Sequence, residues 1–82
     1  MNMTIDISMY PLRDEYLAPI DKFIAKLHEY SSLRVTTNST ATKVCGEYHD
    51  VMDALKDAIA WSYENFGTAV FVTKFIPGYD PL

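Results

Sequence analysis

Six small hydroxyl and amide side chains crowd into one short stretch: Thr36, Thr37, Asn38, Ser39, Thr40 and Thr42. Such groups offer donors and acceptors without charge, and they orient a neutral or singly charged ring ligand by hydrogen bonds. The same composition also suits plain structure, because threonine favours strands and Asn-Ser is turn chemistry. Elsewhere the reactive types are sparse. Cys45 is the single cysteine, and neither His28 nor His49 stands in a motif with it. It reads as a small apolar filler, not as a nucleophile or metal ligand. His49 falls at a helix start, where the dipole disfavours a charged imidazole and favours a capping or surface role. Asp6, Glu47 and Asp50 form no recognisable acid–base pair. No G-x-G-x-x-G or P-loop occurs, so no nucleotide-phosphate cradle is expected. A weaker hydrolytic option has Arg13 holding phosphate and Asn38 placing a water, as acylphosphatases do. Against it, Tyr10-Pro11-Leu12-Arg13 is not a glycine-rich cradle.

Four strands and two helices must position these groups. Thr4 to Tyr10 alternates, with Ile5, Ile7 and Met9 on the core side and Asp6, Ser8 and Tyr10 on the other. That period of two marks a half-buried strand, and Pro11 ends it. Leu17, Ile20, Ile24 and Leu27 then recur at helical spacing, widened by Phe23 and Tyr30. Pro19 belongs in the first turn of this helix, which starts near Tyr16 to Ala18 and ends near Tyr30 to Ser32. Leu33 to Asn38 and Thr42 to Tyr48 are β-prone, and Ser39-Thr40-Ala41 is short enough to join them as a hairpin. The second helix begins at His49 or Asp50, with Asp50 able to cap it. Val51, Met52, Leu55, Ile59, Ser62 and Phe66 are its buried stripe, and Gly67 stops it. Thr68 to Ile76 is the last strand, stopped by Pro77-Gly78, and a turn-rich tail runs to Leu82.

The order β-α-β-β-α-β predicts an α+β, ferredoxin-like sandwich: a four-stranded antiparallel sheet with two helices on one face. All 82 residues form one domain. In the last strand both alternating sets are largely apolar, so the uncovered sheet face is expected to meet another subunit or to enclose a ligand.

Composition narrows the function classes. Eleven acidic residues against seven basic ones give a net charge of −4, which argues against sequence-independent nucleic-acid binding. A chain this short buries only about 60–65% of its unfolded surface, and there is no disulfide framework, so self-association is the natural way to add buried area. No stretch reaches the roughly 18–20 apolar residues that span a membrane. The N-terminus lacks the pattern of a signal peptide, and the lone thiol points to the cytosol.

Several short motifs, in order, resemble one family. Ser8-Met9-Tyr10-Pro11-Leu12, Pro19-Ile20-Asp21, Thr37-Asn38 followed by Thr42, Gly46-Glu47-Tyr48 leading into Val51-Met52, and Phe75-Ile76-Pro77-Gly78 are similar to the YkoF-like thiamine/hydroxymethylpyrimidine-binding family. The resemblance runs from about Ile5 to Pro77. It implies a ferredoxin-like fold, no enzymatic activity, no cofactor, and binding of thiamine or its pyrimidine precursor. It also implies a homodimer or homotetramer built through sheet faces or edges. Carried over by position, the ligand-binding candidates are Ser8, Tyr10, Asn38, Thr40, Thr42 and Glu47. The chain departs from the pattern at Thr40, where relatives often have methionine. A structural or regulatory homo-oligomer without a ligand is the alternative reading.

Overall fold

The computed structural model describes residues 1–81. Strand β1 spans Asn2–Pro11 and keeps the alternation of its sequence: Met3, Ile5, Ile7 and Met9 are buried, and Tyr10 is exposed. It pairs antiparallel with β3 (Thr42–Glu47) on one side and β4 (Ala69–Pro77) on the other. β2 (Arg34–Thr37) pairs with β3, giving the sheet order β2-β3-β1-β4. Helices α1 (Leu17–Leu27) and α2 (Tyr48–Phe66) complete the order β1-α1-β2-β3-α2-β4. Both helices bury their apolar stripes on one sheet face. Phe23 and Leu27 of α1 and Val51, Leu55 and Ala58 of α2 pack with the odd-numbered β1 residues and Val44. The fold is the ferredoxin-like sandwich expected from the element order.

Local differences from the sequence reading have simple causes. Helix α1 ends at Leu27, not near Tyr30 to Ser32. The amides of Glu29 and Tyr30 bond to carbonyls only three residues back, Lys26 and Leu27, and this tightened turn ends the helix. Pro19 takes a buried position in the first turn and leaves Leu17 60% exposed. Helix α2 starts at Tyr48, and its cap is Glu47 instead of Asp50. Glu47 is extended (φ −68°, ψ 143°), and its carboxylate accepts from His49 N at 2.7 Å. Asp50 lies inside the first turn, where its charge suits the dipole but its side chain is past the capping position. Gly67, at φ +79°, ends α2 as expected, its amide reaching Tyr63 O at 2.9 Å.

Register settles the ambiguous last strand. Val70, Val72, Lys74 and Ile76 lie opposite Tyr10, Ser8, Asp6 and Thr4, so they share the open sheet face. Phe71, Thr73 and Phe75 lie opposite Met9, Ile7 and Ile5, on the helix side. The open face is partly covered by the tail. Gly78 turns at φ +78° with its amide on Asn2 O, and the Thr4 hydroxyl donates to Tyr79 O at 2.6 Å. Asp80 pairs with Arg34. Thr4 and Cys45 are buried beneath this segment. Leu82, the end of the tail in the sequence reading, lies outside the described residues.

The helices are joined across their outer surface. Lys26 sits between the rings of Tyr30 and Trp61, 5.5 and 5.6 Å from their centroids, and within 3.8 Å of Asp57. Burial, and then the hydrogen bond it donates to Asp57, push the Tyr30 phenol well above its ordinary range. Among the described residues, no helix is long and apolar enough to cross a membrane.

Candidate functional site

The site arises from a mismatch in strand length. β1 pairs with β3 only as far as Ile7, which lies opposite Thr42. Along β4 it continues through Ser8, Met9, Tyr10 and Pro11. On the β3 side, this last stretch of β1 has no strand beside it among the described residues, and its backbone edge is left to other partners. The β2–β3 hairpin loop and the first turns of α1 rise on either side. Between them lies a cleft of about 190 Å³. It is lined by Ile7, Ser8, Met9 and Tyr10 of β1, by Ile20, Phe23 and Ile24 of α1, and by Thr37 to Thr42 of the hairpin. Its walls are therefore apolar on the helix side and polar on the hairpin side. No charged side chain is among these lining residues.

Asn38 organises the hairpin loop. Its Oδ1 accepts from Thr40 N (2.9 Å), Thr40 Oγ1 (3.0 Å) and Ala41 N (2.9 Å), while its own amide donates to Ala41 O at 3.0 Å. This is the turn chemistry expected of Asn, and the two backbone donors fix which end of the side chain is oxygen. The Nδ2 donors take no part in the turn. The Ser8 hydroxyl donates to Thr40 O at 3.1 Å and ties the loop to the β1 edge. Thr37 and Thr42 share a hydrogen bond at 3.1 Å between their hydroxyls. With these protons committed, Ser8 and Thr40 offer lone pairs, and Asn38 offers N–H donors. A flat heterocycle carrying both an amino group and ring nitrogens matches that mixture.

Five of the six residues singled out from sequence, Ser8, Tyr10, Asn38, Thr40 and Thr42, line this one cleft. Glu47 does not. It lies five residues along β3 from Thr42, roughly 17 Å away for an extended strand, opposite Asn2. Its carboxylate is engaged by His49, through the backbone amide and through Nδ1 at 2.8 Å. These bonds, the side-chain one first, hold the Glu47 carboxyl below the usual range. Its position is explained by helix capping. Arg13 lies exposed in the loop after β1 and is not among the lining residues.

The α1 wall was missed in the sequence as a site element. Ile20, Phe23 and Ile24 read there only as a core stripe, and their spacing gives no signal of a second use. Ile20 and Ile24 are half-buried, and Phe23 is buried against Phe71, ring centroids 5.0 Å apart. Phe71 thus backs Phe23 and does not itself line the cleft. The cleft lies between α1 and the hairpin, whereas the two-sided last strand had pointed to the open sheet face.

The sequence profile of the YKOF-related family matches residues 2–74. No protein of curated function matches the chain. Among solved structures, it is similar to a candidate thiamine biosynthesis/salvage protein of Thermotoga maritima, at 19% identity and TM-score 0.83, covering 92% of this chain and 82% of that one. A protein of Streptococcus pneumoniae shares 23% identity at TM-score 0.87, over 96% of this chain and 89% of its own. A hypothetical protein of Methanocaldococcus jannascii shares 22% identity at TM-score 0.80, over 99% and 84%. These likenesses establish the fold.

Proposed function

Since the chain belongs to the YKOF-related family, we propose that it is a non-catalytic binding protein for thiamine or its hydroxymethylpyrimidine moiety. The observation that carries this reading is the cleft at the unpaired end of β1. It sets uncharged donors and acceptors from the hairpin against an apolar α1 wall. Its volume lies below the roughly 300 Å³ at the lower end for drug-sized ligands, which suits one six-membered ring. The pyrimidine sits in the cleft against Phe23 and the β1 edge, and in thiamine the thiazolium extends beyond it. The likeness to the candidate thiamine biosynthesis/salvage protein of Thermotoga maritima favours the same ligand class.

The protein acts in the cytosol as a homo-oligomer, a dimer or tetramer, through its sheet faces or edges. Exposed Val70 and Val72 on the open face, and a core limited to one layer between sheet and helices, support association. Titration calorimetry with hydroxymethylpyrimidine and with thiamine tests the binding. Saturable heat from either supports it, and no heat from both at millimolar ligand overturns it. Light scattering at several concentrations tests association, and a monomer mass throughout overturns that part.

A further inference from the structure

The free edge of β1 resolves into single peptide groups. Along an antiparallel strand, alternate residues turn both their N–H and their C=O to opposite neighbours. Asn2 O accepts from Gly78 N and Leu12 N donates to Thr68 O, so the even-numbered residues of β1 bond towards β4. Met1 O accepts from Tyr48 N, so the odd-numbered residues bond towards β3. Ile7, opposite Thr42, is the last odd-numbered residue with a partner in β3. Met9 comes next. Its N–H and C=O face the side where β3 has ended, and it lines the cleft. Among the described residues neither group has a hydrogen-bond partner, although Met9 is only 8% exposed. The hairpin loop supplies none. The Thr40 and Ala41 amides bond to Asn38 Oδ1, Ala41 O accepts from Asn38 N, and Thr40 O accepts from the Ser8 hydroxyl. Pro11, the next odd-numbered residue, has no N–H, so Met9 keeps the complete donor–acceptor pair of this edge. Buried peptide groups without partners are costly, and a ligand that satisfies both recovers that cost.

Resting on the reading of the cleft as a pyrimidine site, we infer that the Met9 peptide pair recognises the amino-bearing edge of the ring. The ring nitrogen accepts from Met9 N–H, and the amino group on the adjacent carbon donates to Met9 C=O. The strand direction then orients the ligand. Met9 N–H lies towards Ile7, where the pair with Thr42 closes the edge. Met9 C=O lies towards Pro11, beyond which residues 12–16 are exposed. In hydroxymethylpyrimidine the methyl-bearing carbon flanks the ring nitrogen, and the methylene-bearing carbon flanks the amino carbon. The methyl group therefore faces the closed end. The methylene, which carries the thiazolium in thiamine, faces the open one. A ring with a carbonyl in place of the amino group presents N–H beside C=O, the reverse order. Its donor meets the Met9 N–H and its acceptor meets the Met9 C=O. Turning that ring over restores the pairing but drives its methylene into the closed end. The edge thus selects the amino ring over its oxo counterpart.

The test compares hydroxymethylpyrimidine with the analogue bearing a carbonyl in place of the amino group, by calorimetry on the full chain. The oxo ring is expected to bind at least about a hundredfold more weakly, because both peptide groups of Met9 then meet the wrong partner. In the isotopically labelled chain, the Met9 amide proton is expected to move downfield on binding the amino ring, as an N–H does when it gains an acceptor. Equal affinity for the two rings overturns the inference and leaves the pyrimidine site standing. So does a Met9 amide that stays unmoved while its neighbours in the cleft shift, since the selectivity then comes from another group. Binding of neither ring overturns the site and the inference together.

Discussion

Asn38 does two jobs that substitution separates. Its Oδ1 accepts three hydrogen bonds that hold the hairpin loop, and its Nδ2, outside that turn, is the donor that the proposed pyrimidine site would use. In Asn38→Ala both are lost. The three bonds lie in an exposed loop where water takes over part of their role, so the low end of the usual 0.5–1.5 kcal/mol per bond applies, about 1–2 kcal/mol in all. In Asn38→Asp an oxygen stays where Oδ1 stood, the loop keeps its acceptor, and only the N–H donors vanish. Stability is then expected within about 0.5 kcal/mol of the parent. Affinity for hydroxymethylpyrimidine, a neutral ligand that feels little of the added charge, is expected to fall at least tenfold in both variants, about 1.4 kcal/mol or more. Urea denaturation reads the first quantity and calorimetry the second. If Asn38→Asp binds like the parent, the amide is not a ligand donor and the assignment of roles is refuted. If Asn38→Ala is as stable as the parent, the loop does not depend on Oδ1.

Other variants probe the scaffold. A Cβ on Gly46 would stand 2.8 Å from Leu33 Cδ2 and 3.5 Å from Val51 Cγ2, so Gly46→Val is expected to cost about 1–3 kcal/mol by overpacking, read from the urea midpoint. Ser62 Oγ is buried with no hydrogen-bond partner among the described residues, so Ser62→Ala should leave stability unchanged or raise it by about 1 kcal/mol; a clear loss would mean that the hydroxyl has a partner. The Glu47 carboxyl has a lowered pKa in the folded chain. Its contribution is therefore complete above the unfolded value of about 4.3 and disappears as pH falls through the lower folded value. Glu47→Gln should be less stable than the parent at pH 7, the difference shrinking in acid, and should keep its affinity for the ligand. Denaturation at several pH values checks the first, and calorimetry the second.

Much of this was legible because periodicity speaks clearly where one face is buried. The alternation of Ile5, Ile7 and Met9 placed β1, and Gly67 placed the end of α2. Hydrophobic spacing could not separate the two apolar sets of β4, because both are apolar and only the register with β1 distinguishes them. It also overran the end of α1, where Tyr30 keeps the helical spacing although the backbone has already tightened. The hairpin side of the cleft was readable from its side-chain types, since Asn38 and the threonines are polar in a β-prone stretch. Its α1 wall was not, because a half-buried Ile20 or Ile24 has the same spacing as a core residue. Glu47 followed the family motif, yet its position just before α2 gives its carboxylate to the helix end. The tail over Thr4 and Cys45 depends on contacts between distant parts of the chain, which local patterns do not encode.

A titration of the isotopically labelled chain with hydroxymethylpyrimidine, followed residue by residue by NMR, tests the cleft most directly. Shifts are expected at Ser8 to Tyr10, at Ile20 to Ile24 and at Thr37 to Thr42, with Glu47 and His49 unmoved. Shifts centred on Glu47 or on the open face around Val72, or none at saturating ligand, would contradict the assignment of the site.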